Sequence, residues 1–228
     1  MCGRFTLHTS PDYLRRLLGF VERPNFPPRY NIAPMQPIPI VRIENGARHF
    51  ALVRWGLIPS WVKDPRKFAL LINARAEGIT EKPSFRAAIR RRRCLVPADG
   101  FYEWRREGKA KRPYFIRARG GEPMAFAAIW ETWADAEGGE IDTAAIITCA
   151  ANAVLMPIHE RMPALIPPEA FDTWLDPDEK SFREACALLT PAPDDFMEAY
   201  EVSPRVNKVA NDDAENIAPV DRAANKAA

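Results

Sequence analysis

Four short stretches of the sequence carry side chains that could do chemistry together. They read "MCGRF" at the start, "NARAE" at 73–77, "GFYEW" at 100–104 and "HERMP" at 159–163. Their reactive groups are a thiol, an amide, a carboxylate and an imidazole, on Cys2, Asn73, Glu103 and His159. Each of these residue types is often purely structural, so only their combination and order indicate a reactive site.

Cys2 follows the initiator methionine directly. If Met1 is removed, residue 2 carries two nucleophiles, because its α-amine is then free beside the thiol. An α-amine has a reference pKa of about 7.7–8.0, so part of it is neutral near pH 7 and adds to an aldehyde to form an imine. The thiol, with a reference pKa of about 8.5, then closes a five-membered thiazolidine ring. If Met1 stays, Cys2 is an ordinary cysteine near a chain end.

The other three residues each have a catalytic and a structural interpretation. Glu103 lies between two aromatic residues, where a carboxylate is partly desolvated and suits general acid–base work; the alternative is a solvated strand residue. His159 suits proton transfer near neutral pH, but a lone histidine is more often a structural group. Asn73 closes an apolar run, where a short amide alternatively ties a turn.

Composition limits the classes of protein to consider. The chain has 228 residues, 47% of them apolar, and a net charge of only +2, so global charge does not mark it as a nucleic-acid protein. It contains neither the ~18 to 20 apolar residues in a row that a membrane span needs nor a signal peptide, which predicts a cytoplasmic protein. Its four cysteines and three histidines are too scattered for a zinc site, so no metal is expected. Cys94, Cys149 and Cys186 are predicted to be small buried residues.

Many short strands and a few helices follow from the local patterns. "SPDYLRRLLGF" predicts a helix that Ser10 caps and Gly19 ends. "PPEAFDTWLDPDEKSFREACALL" predicts two more helices, and the polar end "NDDAENIAPVDRAANKAA" is expected to fray. The pattern predicts one α+β domain over residues 1–220, with a mostly antiparallel sheet or barrel, flanking helices and a flexible tail at 221–228. Strands are predicted in "QPIPIVRI", "RHFALVRWGLIP", "RRCLVPA", "GFYEW", "RPYFIRA", "PMAFAAIWETW", "TAAIITCAA" and "MEAYEVSP".

Further blocks in the same order extend along nearly the whole chain. They are "RYNIAP", "WGLIPSW", "INARAE", "CLVPADGFYEW", "FAAIWETW", "ITCAAN", "IHERMP" and "NKVANDDAENIAPV". With "MCGRF" they make the sequence resemble the SRAP family, the "SOS response-associated peptidase" proteins, also called abasic-site processing proteins. The resemblance implies the SRAP fold and no cofactor.

The resemblance also implies a function in DNA damage. Family members shield abasic sites in single-stranded DNA, including those at the junctions of stalled forks, through a covalent DNA–protein crosslink. Cys2 is then the residue that forms the thiazolidine, after autocatalytic or aminopeptidase removal of Met1, and reversal of the crosslink is enzymatic. Glu103 matches the family's general acid and base, His159 moves protons at the sugar oxygen, and Asn73 orients the amino terminus. A monomer is expected, because covalent capture of one site needs no symmetry.

The expected DNA contacts are also carried over from matching blocks. Arg4, Arg75 and Arg161 are expected to hold backbone phosphates, since guanidinium suits bidentate phosphate contacts; each could instead form a surface ion pair. Pro34, Trp61 and Trp104 are expected to contact DNA; Pro34 and Trp61 would press on neighbouring bases, although Trp61 could instead lie in the core. The basic runs at 90–93 and 105–112 fit an electrostatic footprint for DNA equally as well as solvated element ends.

Two other classes of function fit parts of the sequence. A peptidase acting on other proteins would use Cys2 as nucleophile, His159 as base and Asn73 as orienting residue. It would gain nothing from a nucleophile at the N-terminus unless the amine takes part. A non-enzymatic single-strand binder would keep its whole function without Cys2.

Overall fold

A computed structural model describes residues 2–220 of the chain, with twelve strands and four α-helices in that part. The strands are β1 (Phe5–Leu7), β2 (Arg29–Ile32), β3 (Pro37–Glu44), β4 (Ala47–Trp55), β5 (Asn73–Arg75), β6 (Arg93–Ala98), β7 (Gly100–Glu107), β8 (Ala110–Ala118), β9 (Met124–Ala134), β10 (Glu140–Ala150), β11 (Arg161–Pro163) and β12 (Met197–Glu201). The helices are α1 (Pro11–Leu18), α2 (Ala88–Arg91), α3 (Phe171–Leu175) and α4 (Phe182–Ala187). The predicted α+β class with mainly antiparallel strands is confirmed.

Five strands close into a small barrel in the order β10, β4, β3, β6 and β9, with β9 pairing back onto β10. All neighbours in this ring are antiparallel except β10 and β4, which are parallel. Closure leaves the ring without a free edge, so the inward side chains of every strand share one core.

The second half of β10 extends beyond the barrel and holds two further strands. β5 pairs with it in parallel, with Asn73 opposite Ile146, and β11 pairs with it antiparallel on the other edge. Thr148 is thus flanked by β5 on one side and by β11 on the other. Two chain segments that lie far apart in sequence are in this way held one strand apart.

A second sheet of five antiparallel strands, in the order β12, β8, β7, β1 and β2, packs against the barrel. Phe5 of β1 is fully buried and meets Trp55 and Phe126 of the barrel edge-on, with ring centroids 5.3 and 6.0 Å away. β1 therefore joins the two layers, and the residues just before Phe5 lie at their junction.

The helix predicted from "SPDYLRRLLGF" is confirmed as α1. The Ser10 side chain accepts a hydrogen bond from the backbone N–H of Tyr13, and Gly19 adopts a left-handed conformation that ends the helix. The strand patterns are also confirmed, but three strands were not predicted: β2, whose residues sit among prolines, and the three-residue strands β5 and β11, which are too short to show an alternating pattern. None of the helices within residues 2–220 is long and apolar enough to span a bilayer.

The expectation that the polar end of the chain frays is wrong for residues 211–220. Asn216 is fully buried, and the backbone N–H of Val220 donates to the carbonyl of Glu201 at 2.9 Å. Asp212 accepts hydrogen bonds from the backbone of β2. Side-chain amides and carboxylates bind distant backbone here, a pattern that composition does not reveal. The predicted tail at 221–228 and the predicted loss of Met1 lie outside the described residues.

Gly100 provides a test of how closely β7 packs against β8. A Cβ at this position would lie 2.2 Å from Cζ of Phe115 and 2.7 Å from the carbonyl oxygen of Ile116, both on β8. Gly100→Ala should therefore lower the free energy of unfolding by about 2 to 3 kcal/mol, as overpacked cores do. Urea unfolding followed by tryptophan fluorescence measures this. Gly120→Ala, where an added Cβ finds its nearest neighbour 4.0 Å away, is the matched control and should change little. Equal effects of the two substitutions would contradict the expected clash.

Candidate active site and nucleic-acid interface

Cys2 lies buried at the junction of the two layers, with none of its surface exposed. Its carbonyl accepts a hydrogen bond of 2.8 Å from the side-chain amide of Asn73. Asn73 is the first residue of β5, and the parallel pairing of β5 with β10 fixes its position. Asn73 therefore contacts Cys2 directly, at its carbonyl oxygen, and its role in orienting the amino terminus stays a prediction.

Glu103 is the third of the four predicted catalytic residues, and β7 carries it in the second sheet. It is 3% exposed, so the alternative of a solvated strand residue is wrong. Burial raises the pKa of the Cys2 thiol well above its ordinary value, and the nearby negative charge of Glu103 raises that pKa further. The thiol is therefore kept in its neutral form, close to a carboxylate.

His159 follows a short turn in which its backbone N–H donates to the carbonyl of Leu155 at 2.9 Å. Its Nδ1 accepts a hydrogen bond of 3.0 Å from the backbone N–H of Arg161. Because Nδ1 is an acceptor, the neutral imidazole carries its proton on Nε2. The local backbone thus sets both the tautomer and the orientation of the ring.

An open cavity of about 420 Å³ brings several of these residues together. Four residues predicted from the sequence line it: Arg4, Glu103, Trp104 and His159. Three residues that were not singled out complete the lining: Arg106, Lys111 and Asn207. Arg106 and Lys111 belong to the basic run at 105–112, whose place on the β7–β8 hairpin now puts cations beside the carboxylate. No group of three or more His, Cys, Asp or Glu side chains in the described part of the chain could hold a metal ion.

Arg4 and Arg161 differ in what neutralises their charge. Arg4 donates to the side-chain oxygen of Asn31 at 2.8 Å and to the carbonyl of Val206 at 2.9 Å, and both acceptors are neutral. Arg161 instead forms a bidentate pair with the carboxylate of Glu77, at 2.8 and 2.7 Å. Arg161 is thus already engaged inside the protein, while the charge of Arg4 faces the cavity without a carboxylate partner among residues 2–220.

Three predicted DNA contacts lie away from this cavity. Arg75 ends β5 with an exposed side chain, and Pro34 is half-buried before Met35, whose φ is 70°. Trp61 is 57% exposed and meets Phe68 edge-on, so the alternative that Trp61 lies in the core is wrong. Met35 and Phe68 both line a neighbouring groove of about 370 Å³. The DNA-binding roles of these residues stay predictions.

Residues 1–209 match the family described as SOS response associated peptidase (SRAP). The chain belongs to this family. It is 40% identical over 219 residues to the Abasic site processing protein YoaM of Bacillus subtilis, covering 94% of this chain and 96% of YoaM. It is 35% identical over 228 residues to the Abasic site processing protein YedK of Escherichia coli, covering 96% of this chain and all of YedK. A crystal structure of a protein from Bacteroides thetaiotaomicron superimposes with a TM-score of 0.84 at 29% identity, covering 96% of this chain and all of that one.

Of the three other cysteines in this SRAP chain, two are buried as the sequence predicted, and the prediction for Cys186 is wrong. Cys94 and Cys149 are buried, at 0% and 2% exposure, and burial raises the pKa of both thiols. Cys186 is only half-buried. Glu77 was not singled out from the sequence, although it closes the "NARAE" block, because its partner Arg161 follows 84 residues later.

Glu77 should stabilise this SRAP fold in a pH-dependent way. The hydrogen bonds from Arg161 lower the pKa of Glu77 from 4.5 to about 2. The stabilisation is therefore complete above pH 4.5 and is lost as the pH falls through about 2. Glu77→Gln should lower the free energy of unfolding by about 1 kcal/mol at pH 7, a modest effect because solvent screens the exposed carboxylate.

Urea unfolding at several pH values between 7 and 2 measures this difference. The difference in free energy of unfolding between wild type and Glu77→Gln should narrow steadily below pH 4.5, since protonated Glu77 and glutamine have the same charge. Glu169→Gln, at an exposed site, is the matched control and should show no gap at any pH. A gap for Glu77→Gln that stays constant down to pH 2 would show that the ion pair contributes nothing.

Proposed function

We propose that this chain captures abasic sites in single-stranded DNA as a covalent thiazolidine on Cys2. The free α-amine of Cys2 attacks the aldehyde of the ring-opened sugar, and loss of one water leaves an imine. The thiol then adds to the imine carbon, and its proton passes to the ring nitrogen. The relatives' printed name, abasic site processing protein, supports abasic DNA as the substrate.

The observation that carries the proposal is the placement of Cys2. The Asn73 amide holds its carbonyl, and the charge of Glu103 acts on its thiol. Glu103 in turn shares a cavity with His159 and three cations, Arg4, Arg106 and Lys111. The cations around the cavity attract a negatively charged sugar–phosphate chain. The carboxylate and the imidazole between them are the proton-transfer groups that imine chemistry needs.

Proton transfers in this scheme fall to Glu103 and His159. Glu103 accepts a proton from the attacking nucleophile and returns it to the leaving hydroxyl when the imine forms. His159, which carries its proton on Nε2 in the neutral form, donates to the sugar oxygen as the ring opens. Release of the crosslink uses the same groups in reverse, with one water consumed.

Loss of Met1 is required, because only then does Cys2 have a free α-amine. Removal is a hydrolysis that consumes one water and releases methionine. Glu103 is close enough to influence Cys2 electrostatically and is the proposed general base for the attacking water. The same carboxylate would then act first in hydrolysis of the Met1–Cys2 peptide bond and later in the reaction with the aldehyde.

A thiol peptidase that cleaves other proteins is the rival function. Its nucleophile is a thiolate, which enzymes favour by lowering the cysteine pKa. Burial and Glu103 raise the pKa of Cys2 instead. Ring closure onto an imine does not need a standing thiolate, because the thiol proton passes to the neighbouring imine nitrogen as the carbon–sulfur bond forms, whereas an external peptide offers no such basic nitrogen.

The proposal is tested with single-stranded DNA that holds one abasic site, analysed on a denaturing gel. Wild-type protein with Met1 removed should give a shifted, heat-stable band, and intact DNA of the same sequence should give none. Cys2→Ser keeps the α-amine, so it should give a band only after borohydride reduction of the imine. A glycine inserted between Met1 and Cys2 should abolish the stable band, whereas a thiol peptidase would tolerate it. A stable band from the inserted variant would overturn the proposal.

In protein treated with methionine aminopeptidase and shown by mass spectrometry to lack Met1, Glu103→Gln should slow crosslink formation about 10²- to 10⁴-fold, the usual contribution of a general acid or base. Non-covalent affinity for the DNA should not fall, since the substitution removes a negative charge from the cavity. Single-turnover gel assays give the rate and fluorescence anisotropy gives the affinity. Glu198→Gln on β12, whose carboxylate accepts from Arg117 away from the cavity, is the control. An unchanged crosslinking rate in Glu103→Gln would remove Glu103 from the mechanism.

A further inference from the structure

The cavity wall around Arg4 is built from neutral acceptors. Nη1 of Arg4 donates to Oδ1 of Asn31 at 2.8 Å and to the carbonyl of Val206 at 2.9 Å, which uses both of its hydrogens. Nη2 has one long contact, 3.5 Å, to the carbonyl of Asn207. The edge formed by Nε and Nη2 is therefore the less occupied one, and it has the fork geometry that suits a phosphate.

Holding a partly buried cation with neutral groups alone costs free energy. Other arginines in the protein are instead paired with carboxylates. Burial lowers the pKa of the Arg4 guanidinium, although arginine stays charged. Arg29 on β2 is paired with Asp212, and Arg161 is paired with Glu77. Asp212 lies close to Asn31 and accepts from its backbone N–H at 2.8 Å, yet it pairs with Arg29 and not with Arg4. The carboxylate of Asp212 thus lies next to Asn31, but the side chain that accepts a hydrogen bond from Arg4 is the amide of Asn31.

Asn31 has no exposed surface, and every polar group of its side chain is used. Its oxygen accepts from Arg4, and its Nδ2 is within hydrogen-bond distance of three carbonyls, those of Val206, Lys208 and Asn211, at 3.1, 3.1 and 2.7 Å. The amide therefore ties β1, through Arg4, to the segment 206–211. That segment also supplies Asn207, which lines the cavity and accepts from Nε1 of Trp104 at 2.7 Å.

We propose that Asn31 is a positioning residue that holds Arg4 for a DNA phosphate while leaving its charge uncompensated. The inference rests on the proposed function, in which the cavity takes an abasic single strand. An amide suits both tasks, because it accepts from the guanidinium and donates to the 206–211 carbonyls without adding charge. An aspartate of the same shape would accept from Arg4 equally well but would neutralise it and would lose the donors.

Asn31→Asp separates these two tasks. The probe is a single-stranded oligonucleotide with one tetrahydrofuran abasic analogue, which has no aldehyde, so fluorescence anisotropy reports non-covalent binding alone. The affinity should fall about tenfold at low salt. The slope of log affinity against log salt should also shrink by about 0.7, the value for one phosphate contact on a single strand. A merely structural role for Asn31 would weaken binding without changing this slope.

Two further variants complete the test. Asn45→Asp adds the same charge at the β3–β4 turn, away from the cavity lining, and should leave the affinity within twofold of wild type and the slope unchanged. Asn31→Ser keeps the site neutral but releases Arg4 from its phosphate contact, so it should weaken binding about threefold to tenfold and lower the slope by the same ~0.7. This variant carries the test if Asn31→Asp fails to fold, which circular dichroism shows.

The outcomes are distinguishable. A reduced slope in the folded Asn31 variants, with the Asn45→Asp slope unchanged, supports the inference. A wild-type slope in a folded Asn31→Asp, or a wild-type slope or affinity in Asn31→Ser, would overturn it and leave the proposed function standing. No binding of the oligonucleotide by the wild-type protein would overturn the proposed function and this inference with it.

Discussion

The pairing of β10 with four other strands is the constraint on which the rest of the structure depends. Its first half closes the barrel between β9 and β4, and its second half holds β5 and β11 on opposite edges. Asn73 and Arg161 thereby acquire fixed positions although 88 residues of sequence separate them from one another along the chain. Because strand pairing sets register to a single residue, a slip in β10 would misplace both segments at once.

The sequence predicted the local elements well because their signals are local. The Ser10 cap, the Gly19 stop and the alternating strands follow from steric and hydrogen-bonding preferences of neighbouring residues. It did not predict which strands pair, because nothing in a strand's own pattern names its partner. β2 was missed since prolines surround it, and β5 and β11 were missed since three residues show no pattern. Residues 211–220 were misjudged since the β2 partners of Asn211 and Asp212 lie about 180 residues away.

For the candidate site, the sequence identified the residues but not the partners that each of them has. The resemblance supplied Cys2, Asn73, Glu103 and His159, and the structure puts Asn73 against Cys2 and the other two in one cavity. It could not separate Arg4 from Arg161, because both are arginines in matching blocks. Only the partners distinguish them: neutral groups hold Arg4, and a carboxylate neutralises Arg161. A net charge of +2 is likewise uninformative, since what matters is where cations lack anions.

The segment 206–211 forms part of the wall beside residues near the start of the chain, and this has a consequence for biosynthesis. Cys2 leaves the ribosome directly after Met1, whereas Asn207 and the carbonyls that hold Asn31 emerge about two hundred residues later. A growing polypeptide therefore exposes the Cys2 thiol before the 206–211 segment of the cavity wall has been made. The wall can be completed only when translation has passed residue 211 and the two distant segments have met.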